Sequence, residues 1–251
     1  MRPRLEAIEK IWFHETYRPA AEGDVRPGPT RLLPADREVV DRLEPLAGRR
    51  VLDLGAGDGA LSVELVRRGA QVVALDLAST ALVLAGRRAA VDRVRFGRVC
   101  GSVHRLPFGD GSFDRIAGGL VLHHLDLSLA APEVRRVLAP GGRAAFRETF
   151  DANPILRACR RWVAGRCGVA RVGTPTERPL GTRELAILRQ VFGGVRLVHP
   201  EFVFFRLLDR HVFRYRSPRV HRWLLGLDEA VHRRVPRLAR FSYQSIVLLD
   251  P

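Results

Sequence analysis

The segment Asp53-Leu54-Gly55-Ala56-Gly57-Asp58-Gly59 sets three glycines at alternate positions between an apolar run and a helical stretch. Glycines in such a turn let the backbone come close to a bound ligand. Read as Gly55-Ala56-Gly57-Asp58-Gly59-Ala60, the loop also satisfies the GxGxxG/A dinucleotide pattern, which works by seating a diphosphate on a helix N-terminus. Asp58 opposes that use, because it puts a carboxylate where a diphosphate needs uncompensated donors, and Asp53 adds a second acid beside the loop. Both suit a ligand carrying positive charge, an ammonium or a sulfonium. Asp58 equally reads as a plain helix cap, a role worth about 1 kcal/mol. Asp76 ends the next apolar run, 23 residues after Asp53. A carboxylate there can accept from both hydroxyls of an unphosphorylated ribose, which points to an adenosine-like ligand; a solvated acid at a strand end is the plainer alternative.

Proton-transfer chemistry has two candidate sets. His123 and His124 follow the fourth apolar run, and histidine, with an unperturbed pKa near 6.5, is the usual general base. Local packing or hydrogen bonding of one of them is the competing role. His14 and Tyr17 near the N-terminus form the second set, with Trp12 and Phe13 beside them as packing residues.

The elements that must position these residues alternate. Leu5, Ile8, Trp12 and Phe13 have helical spacing and predict a short amphipathic helix over 4–17, ending before Pro19. A loop follows over 18–34, then a helix from Pro34 to about Leu46. From there apolar runs at 51–54 and 71–76 alternate with helical stretches near 59–68 and 79–92, a βαβα pattern that calls for a parallel sheet with right-handed crossovers. Further strands are expected at Val94–Val99, Phe113–Gly118, Arg143–Arg147, Val195–Phe205 and Tyr243–Leu249, with helices near 126–138 and 182–191. That makes seven strands, the last two an antiparallel pair at the sheet edge. Segments 150–180 and 206–240 stand outside the repeat and read as covers over the strand ends, where an open α/β sheet holds its ligands. Phe202-Val203-Phe204-Phe205 reads as a core strand or as one wall of a greasy pocket, with the Arg-rich 206–240 segment as its lid or as a membrane-surface contact.

With 251 residues and 46% apolar composition, the chain is expected to be one domain: a helical cap over 1–47, a ligand-binding core over 48–150 and an acceptor-side half over 151–251 with a helical insertion at about 206–240. No apolar stretch approaches the roughly 20 residues of a membrane span, and the N-terminus lacks a signal-peptide core, so a cytoplasmic enzyme is expected. Cys100, Cys159 and Cys167 are odd in number and lack CxxC spacing, which indicates neither a disulfide framework nor a zinc site; no metal is expected. The net charge of +15 raises nucleic acid as a partner. Every basic residue except Lys10 is arginine, however, and the arginines are scattered, a pattern of GC-rich bacterial codon usage more than of selection for phosphate contacts.

Taken in order, Val51–Gly59, Val73-Ala74-Leu75-Asp76, Leu106-Pro107-Phe108, Gly111-Ser112-Phe113-Asp114, Leu122-His123-His124-Leu125 and Arg136–Gly142 resemble the motifs of class I S-adenosylmethionine-dependent methyltransferases, in the branch of the ubiquinone and menaquinone methyltransferases and many small-molecule enzymes. The resemblance spans roughly 48–150. It implies a Rossmann-like doubly wound seven-stranded sheet, mostly parallel with an antiparallel last strand, plus helical cover segments. It implies S-adenosylmethionine as cofactor, S-adenosylhomocysteine as product, and no metal. Gly55, Ala56, Gly57 and Gly59 would pass under the methionine part with Asp53 near its amino group. Asp76 would hold the ribose, Leu77 would lie against the adenine, Val103 would offer its backbone to the adenine edge, and Gly119 would border the methionine side. Ser102 stands where similar sequences carry an aspartate that accepts from the adenine amino group, and a neutral acceptor makes the weaker bond. The N-terminal helix, with His14 and Tyr17, would close over the donor.

Methyl transfer from a sulfonium needs alignment more than side-chain chemistry, and a base only if the acceptor loses a proton. The acceptor implied is a hydrophobic small molecule, a quinone, lipid or specialised metabolite. Three other readings remain at this point. An RNA methyltransferase fits the charge, but Gly118-Gly119-Leu120 stands where an Asn/Asp-Pro-Pro-aromatic motif would be needed. A donor-binding protein acting as a cyclase, isomerase or scaffold would keep the same motifs. An NAD(P) oxidoreductase fits the glycine loop and not the later motifs.

Overall fold

The computed structural model describes residues 2–23, 30–163, 174 and 177–251, with side chains from Glu6 onward. Cys167 and parts of the 18–34 and 150–180 segments lie outside the described residues.

The chain runs α1 (Arg2–Glu22), α2 (Pro34–Arg42), β1 (Arg50–Leu54), α3 (Ala60–Arg67), β2 (Gln71–Asp76), α4 (Ser79–Val91), β3 (Gly97–Cys100), β4 (Phe113–Gly119), α5 (Leu127–Val137) and β5 (Leu138–Thr149). It continues through α6 (Pro154–Trp162), α7 (Thr182–Val191), β6 (Gly194–Val198), α8 (Arg206–Leu208), α9 (Pro218–Arg234) and β7 (Gln244–Asp250). Seven strands form one sheet in the order β3-β2-β1-β4-β5-β7-β6. The first five are parallel, and β7 runs antiparallel between β5 and β6. The order reverses between β1 and β4, so the glycine loop after β1 and the His123/His124 turn after β4 lie side by side at the carboxyl edge, where open α/β sheets take their ligands.

Alternation along the strands builds two cores, one on each face. Leu52, Leu54, Ile116, Ala144 and Phe146 pack on the side of α5 and α7. Val51, Ala117, Ala145, Ile246 and Leu248 face α2 and α3. Period-2 side-chain direction requires this once both faces are covered. The buried Arg147–Asp36 pair, with Nε to Oδ1 at 2.6 Å, then ties α2 to β5.

Several boundaries differ from the sequence expectation. Helix α1 does not stop before Pro19 but continues to Glu22. The proline removes one backbone donor, but α1 packs along α4 and Arg87 donates to the carbonyls of Ala20, Ala21 and Gly23, securing the last turn. Helix α2 ends at Arg42 rather than Leu46, because Pro45 disfavours helical backbone at Glu44. Strand β3 begins at Gly97 rather than Val94, after a left-handed residue at Arg93. Strand β5 is longer than expected, 138–149.

The largest difference lies at Phe202–Phe205, which is not strand. Asp228 of α9, fully buried, accepts from the backbone N–H groups of Phe204, Phe205 and Arg206, and the Ser242 hydroxyl accepts from Val203 N–H. A side chain distant in sequence thus takes the donors that a ladder would have used. Asp228→Ala strips partners from three part-buried amides at about 1–3 kcal/mol for each donor left unpaired. It is expected to lower the unfolding free energy by ~3 kcal/mol in urea titration and to raise amide exchange first at 204–206.

Candidate active site

At the carboxyl end of β1 the chain turns through Gly55 and Gly57, both at positive φ (70° and 53°). A Cβ on Gly55 would come within 2.6 Å of Val121, and one on Gly57 within 3.0 Å of the Tyr17 hydroxyl, so the loop is excluded to side chains from both sides. The N–H groups of Gly55 and Ala56 donate to the Leu75 carbonyl. Asp76 bridges the two loops: one carboxylate oxygen accepts from Gly57 N–H and the other from Ala78 N–H, both at 2.8 Å. Burial raises its pKa, and the backbone donors offset part of that rise.

The two other acids of the loop are committed. Asp53 is buried behind the loop with its Oδ2 accepting from the Ser62 hydroxyl, and burial carries its pKa up to about 7. Asp58 pairs with Arg88 of α4 and accepts from Ala60 N–H. Asp58 thus shares its charge with Arg88 and meets the first amide of α3, whose N-cap is Gly59.

Helix α1 lies over this edge. Tyr17 reaches the glycine loop, and burial together with the charges of Asp76 and Asp58 pushes its pKa up to about 12. The His14 carbonyl accepts from the hydroxyl of Thr80, four residues past Asp76. Glu6 binds Nδ1 of His104 at 2.7 Å, while His104 Nε2 accepts from Asp126 N–H, which fixes the orientation of the ring. Ser102 caps the turn Val103–Arg105 by accepting from His104 N–H, so part of its capacity is spent. Val103 is buried and Leu77 half-buried. A cleft of about 470 Å³ opens at the opposite edge, among Arg50, Gln71, Arg95 and Ser112 at the strand beginnings, away from every candidate residue.

Beyond Gly119 the chain passes Leu120, at φ 59°, a conformation few side chains adopt and one found at functional turns. It then enters the turn Leu122–His124. Glu148 at the end of β5 is fully buried; its Oε1 accepts from Val121 and Leu122 N–H, and its Oε2 binds Nδ1 of His123 at 2.6 Å. His123 Nε2 faces Oε1 of Glu177 at 3.5 Å. Burial lowers the His123 pKa, but Glu148 and the charges of Glu177 and Glu9 outweigh it and the net shift is upward. His124 lies tilted against His123, takes the edge of Phe13 from α1, and has Nδ1 3.3 Å from Glu9 Oε2.

The four proton-transfer candidates thus divide, His14 and Tyr17 at the donor-loop side and His123 and His124 after β4, with α1 touching both. The carboxylates Glu9, Glu148 and Glu177 were not anticipated. Glu148 had a readable signal: it lies just past an expected strand that neighbours the one leading to the histidines.

Residues 52–146 match the family described as a methyltransferase domain. An uncharacterised methyltransferase of Mycobacterium tuberculosis is 43% identical over 106 residues, 42% of each chain. The demethylmenaquinone methyltransferase of Beutenbergia cavernae is 40% identical over 119 residues, 47% of this chain and 48% of that one. The aligned part thus spans less than half the length of these curated relatives. Among solved structures, the YcgJ protein of Bacillus subtilis superposes with a TM-score of 0.57 at 20% identity, covering 85% of this chain and 96% of that one, a likeness of fold. Over the matched stretch the resemblance to class I S-adenosylmethionine-dependent methyltransferases stands.

Asp53 gives a pH test. Its folded pKa of about 7 lies above the ordinary value of about 3.9. The native state therefore holds the proton more tightly, and the stabilisation is full below pH ~4 and lost as pH rises through ~7. In urea titrations across this range, wild type should lose stability relative to Asp53→Asn. Parallel curves would mean that the carboxylate is ionised in the fold.

Proposed function

We propose that this chain transfers the methyl group of S-adenosylmethionine to a small apolar acceptor held between the glycine loop and the His123/His124 turn. The observation that carries this reading is Asp76, which joins Gly57 N–H to Ala78 N–H at the switch point of a methyltransferase-type sheet. Each of its oxygens keeps a lone pair for a ribose hydroxyl. Gly55, Ala56, Gly57 and Gly59 would pass beneath the methionine part, with buried Asp53 acting as a positioning residue for that loop. Leu77 and Val103 would flank the adenine, and Gly119 would border the methionine side. Ser102, already accepting from His104, would add little, leaving the adenine edge to backbone groups. His14 and Tyr17 would close the donor side.

The donor supplies an activated methyl group, so the protein's task is to set the acceptor in line with the carbon–sulfur bond and exclude water. As the new bond to methyl forms, the carbon–sulfur bond breaks and its electron pair stays on sulfur. An acceptor that starts protonated yields its proton to the polar group around His123, His124 and their carboxylates. The likeness to a demethylmenaquinone methyltransferase supports a quinone-like or lipidic acceptor.

Calorimetric titration tests the donor site. S-adenosylmethionine and S-adenosylhomocysteine should bind the wild type in the micromolar range, NAD should not bind, and Asp76→Ala should bind neither sulfur compound. Binding of NAD alone would overturn the reading.

The insertion supports delivery of such an acceptor from a lipid surface. Tyr215 is 59% exposed and Trp223 62% exposed, beside Arg214, Arg216, Arg219 and Arg222. Apolar side chains among arginines suit the interface of an anionic bilayer better than nucleic acid. No helix among the described residues is long and apolar enough to cross a membrane, so contact would be peripheral. The protein should co-sediment with vesicles containing anionic lipid and not with zwitterionic ones, and Trp223→Ala with Tyr215→Ala should weaken this several-fold; equal recovery with both vesicle types would count against it.

A further inference from the structure

His123, His124 and Glu177 come from two separate stretches of chain, yet each can offer one ligand atom such that all three lie within 4.8 Å of one another. In one pair the geometry is already that of a metal site. Bonds of about 2 Å in a tetrahedral zinc-type centre put neighbouring ligand atoms about 3.4 Å apart, and His123 Nε2 stands 3.5 Å from Glu177 Oε1.

The surroundings orient these groups as outer-shell partners orient metal ligands. Glu148 binds Nδ1 of His123 at 2.6 Å and is itself anchored by two backbone N–H groups, which holds the ring with Nε2 toward Glu177. Glu177 is aimed in turn, because its Oε2 accepts from Thr174 N–H at 3.2 Å and leaves Oε1 for the cluster. A lone pair on nitrogen facing a carboxylate oxygen repels unless a cation or a proton lies between them.

An independent sign lies beside His124. Glu9 is only 4% exposed, and its Oε2 has no hydrogen-bond partner among the described residues; nor does His124 Nδ1, 3.3 Å away. Two buried polar atoms that face each other at this distance without a hydrogen bond are costly to keep from water. A positive centre on the other side of the imidazole would polarise its N–H toward Glu9 and relieve both.

We propose that His123 Nε2, one ring nitrogen of His124 and the Glu177 carboxylate form a binding site for a first-row divalent transition ion, Zn²⁺ being the natural occupant for two imidazoles and a carboxylate. Three protein ligands leave a position open for a further ligand. Its use, binding and acidifying an oxygen of the acceptor, rests on the transfer reading above; the site itself does not.

The test uses untagged full-length protein stripped with a chelator and titrated with Co²⁺ as a spectroscopic probe, then with Zn²⁺ against a chromophoric indicator. Wild type should take up one equivalent of Co²⁺ with visible absorption of a four- or five-coordinate centre, displaced by Zn²⁺. Glu177→Gln and His124→Ala should lose the absorption, and Glu148→Gln should weaken binding about 10–100-fold. S-adenosylmethionine titration of Glu177→Gln reports a folded donor half independently. No Co²⁺ uptake by wild-type protein that binds the donor would overturn the site and leave the transfer reading intact, as would uptake unchanged in Glu177→Gln. Co²⁺ uptake lost in Glu177→Gln by a protein that never binds the donor would support the site and sink the transfer reading.

Discussion

A carboxylate withdrawn from water must be given donors, and Glu148 takes three: Val121 N–H, Leu122 N–H and His123. The arrangement at the carboxyl edge follows from that demand. Glu148 can meet the turn after β4 only because β4 and β5 pair in parallel up to Gly119 and Arg147, which brings Glu148 to the level at which β4 ends. Replacing the ladder there with side-chain acceptance lets the chain leave the sheet through Leu120 and present two imidazoles sideways. Breaking a buried charged network of this kind costs several kcal/mol, so the positions of the histidines are held by the stability of the fold itself.

Helix α1 is the second determinant, because it touches the glycine loop and the His123/His124 turn at once. Tyr17 meets the glycine loop, His14 meets Thr80, and Glu9 and Phe13 meet His124. Glu6 fastens the same helix to His104 beyond β3. Its solvent side keeps Ile11 exposed, so α1 is held more by these polar links than by a wide apolar stripe. Tyr17 and Glu9 thus sit on one rigid helix, so the glycine loop and the His123/His124 turn share a support.

Local signals made much of this readable in advance. The glycine loop, Asp76 at the end of its strand and the alternation of apolar runs depend on near neighbours, and the sheet, its seven strands and the reversed last strand follow from them. What escaped is non-local. Asp228 takes the amides of Phe204 to Arg206 from more than 20 residues away, and no period in Phe202–Phe205 reveals that. Arg87 carries α1 past Pro19 from 68 residues downstream. Arg88 neutralises Asp58 and thereby removes a charge that the loop alone would display. Glu9 and Glu177 lie 168 positions apart and meet through Thr174, whose hydroxyl donates to Glu9 and whose N–H donates to Glu177.

The distribution of charge bears on what the site can hold. The chain as a whole is strongly basic, yet the groups gathered at the carboxyl edge are Asp53, Asp76, Glu9, Glu148 and Glu177. Many of the arginines are spent in pairs elsewhere, Arg68 with Glu44 and Glu64, Arg136 with Glu133 and Asp110, and Arg143 with Asp250. Carboxylates gathered at one edge favour positive charge there over negative charge, even though Gly57 and Ala78 N–H, the Ser62 hydroxyl and His123 each offset part of their demand. On the reading proposed above, a sulfonium donor suits this edge better than a polyanion, while the basic surface would meet an anionic lipid layer from outside; net charge alone would merge these two roles, and the placement of the charges separates them.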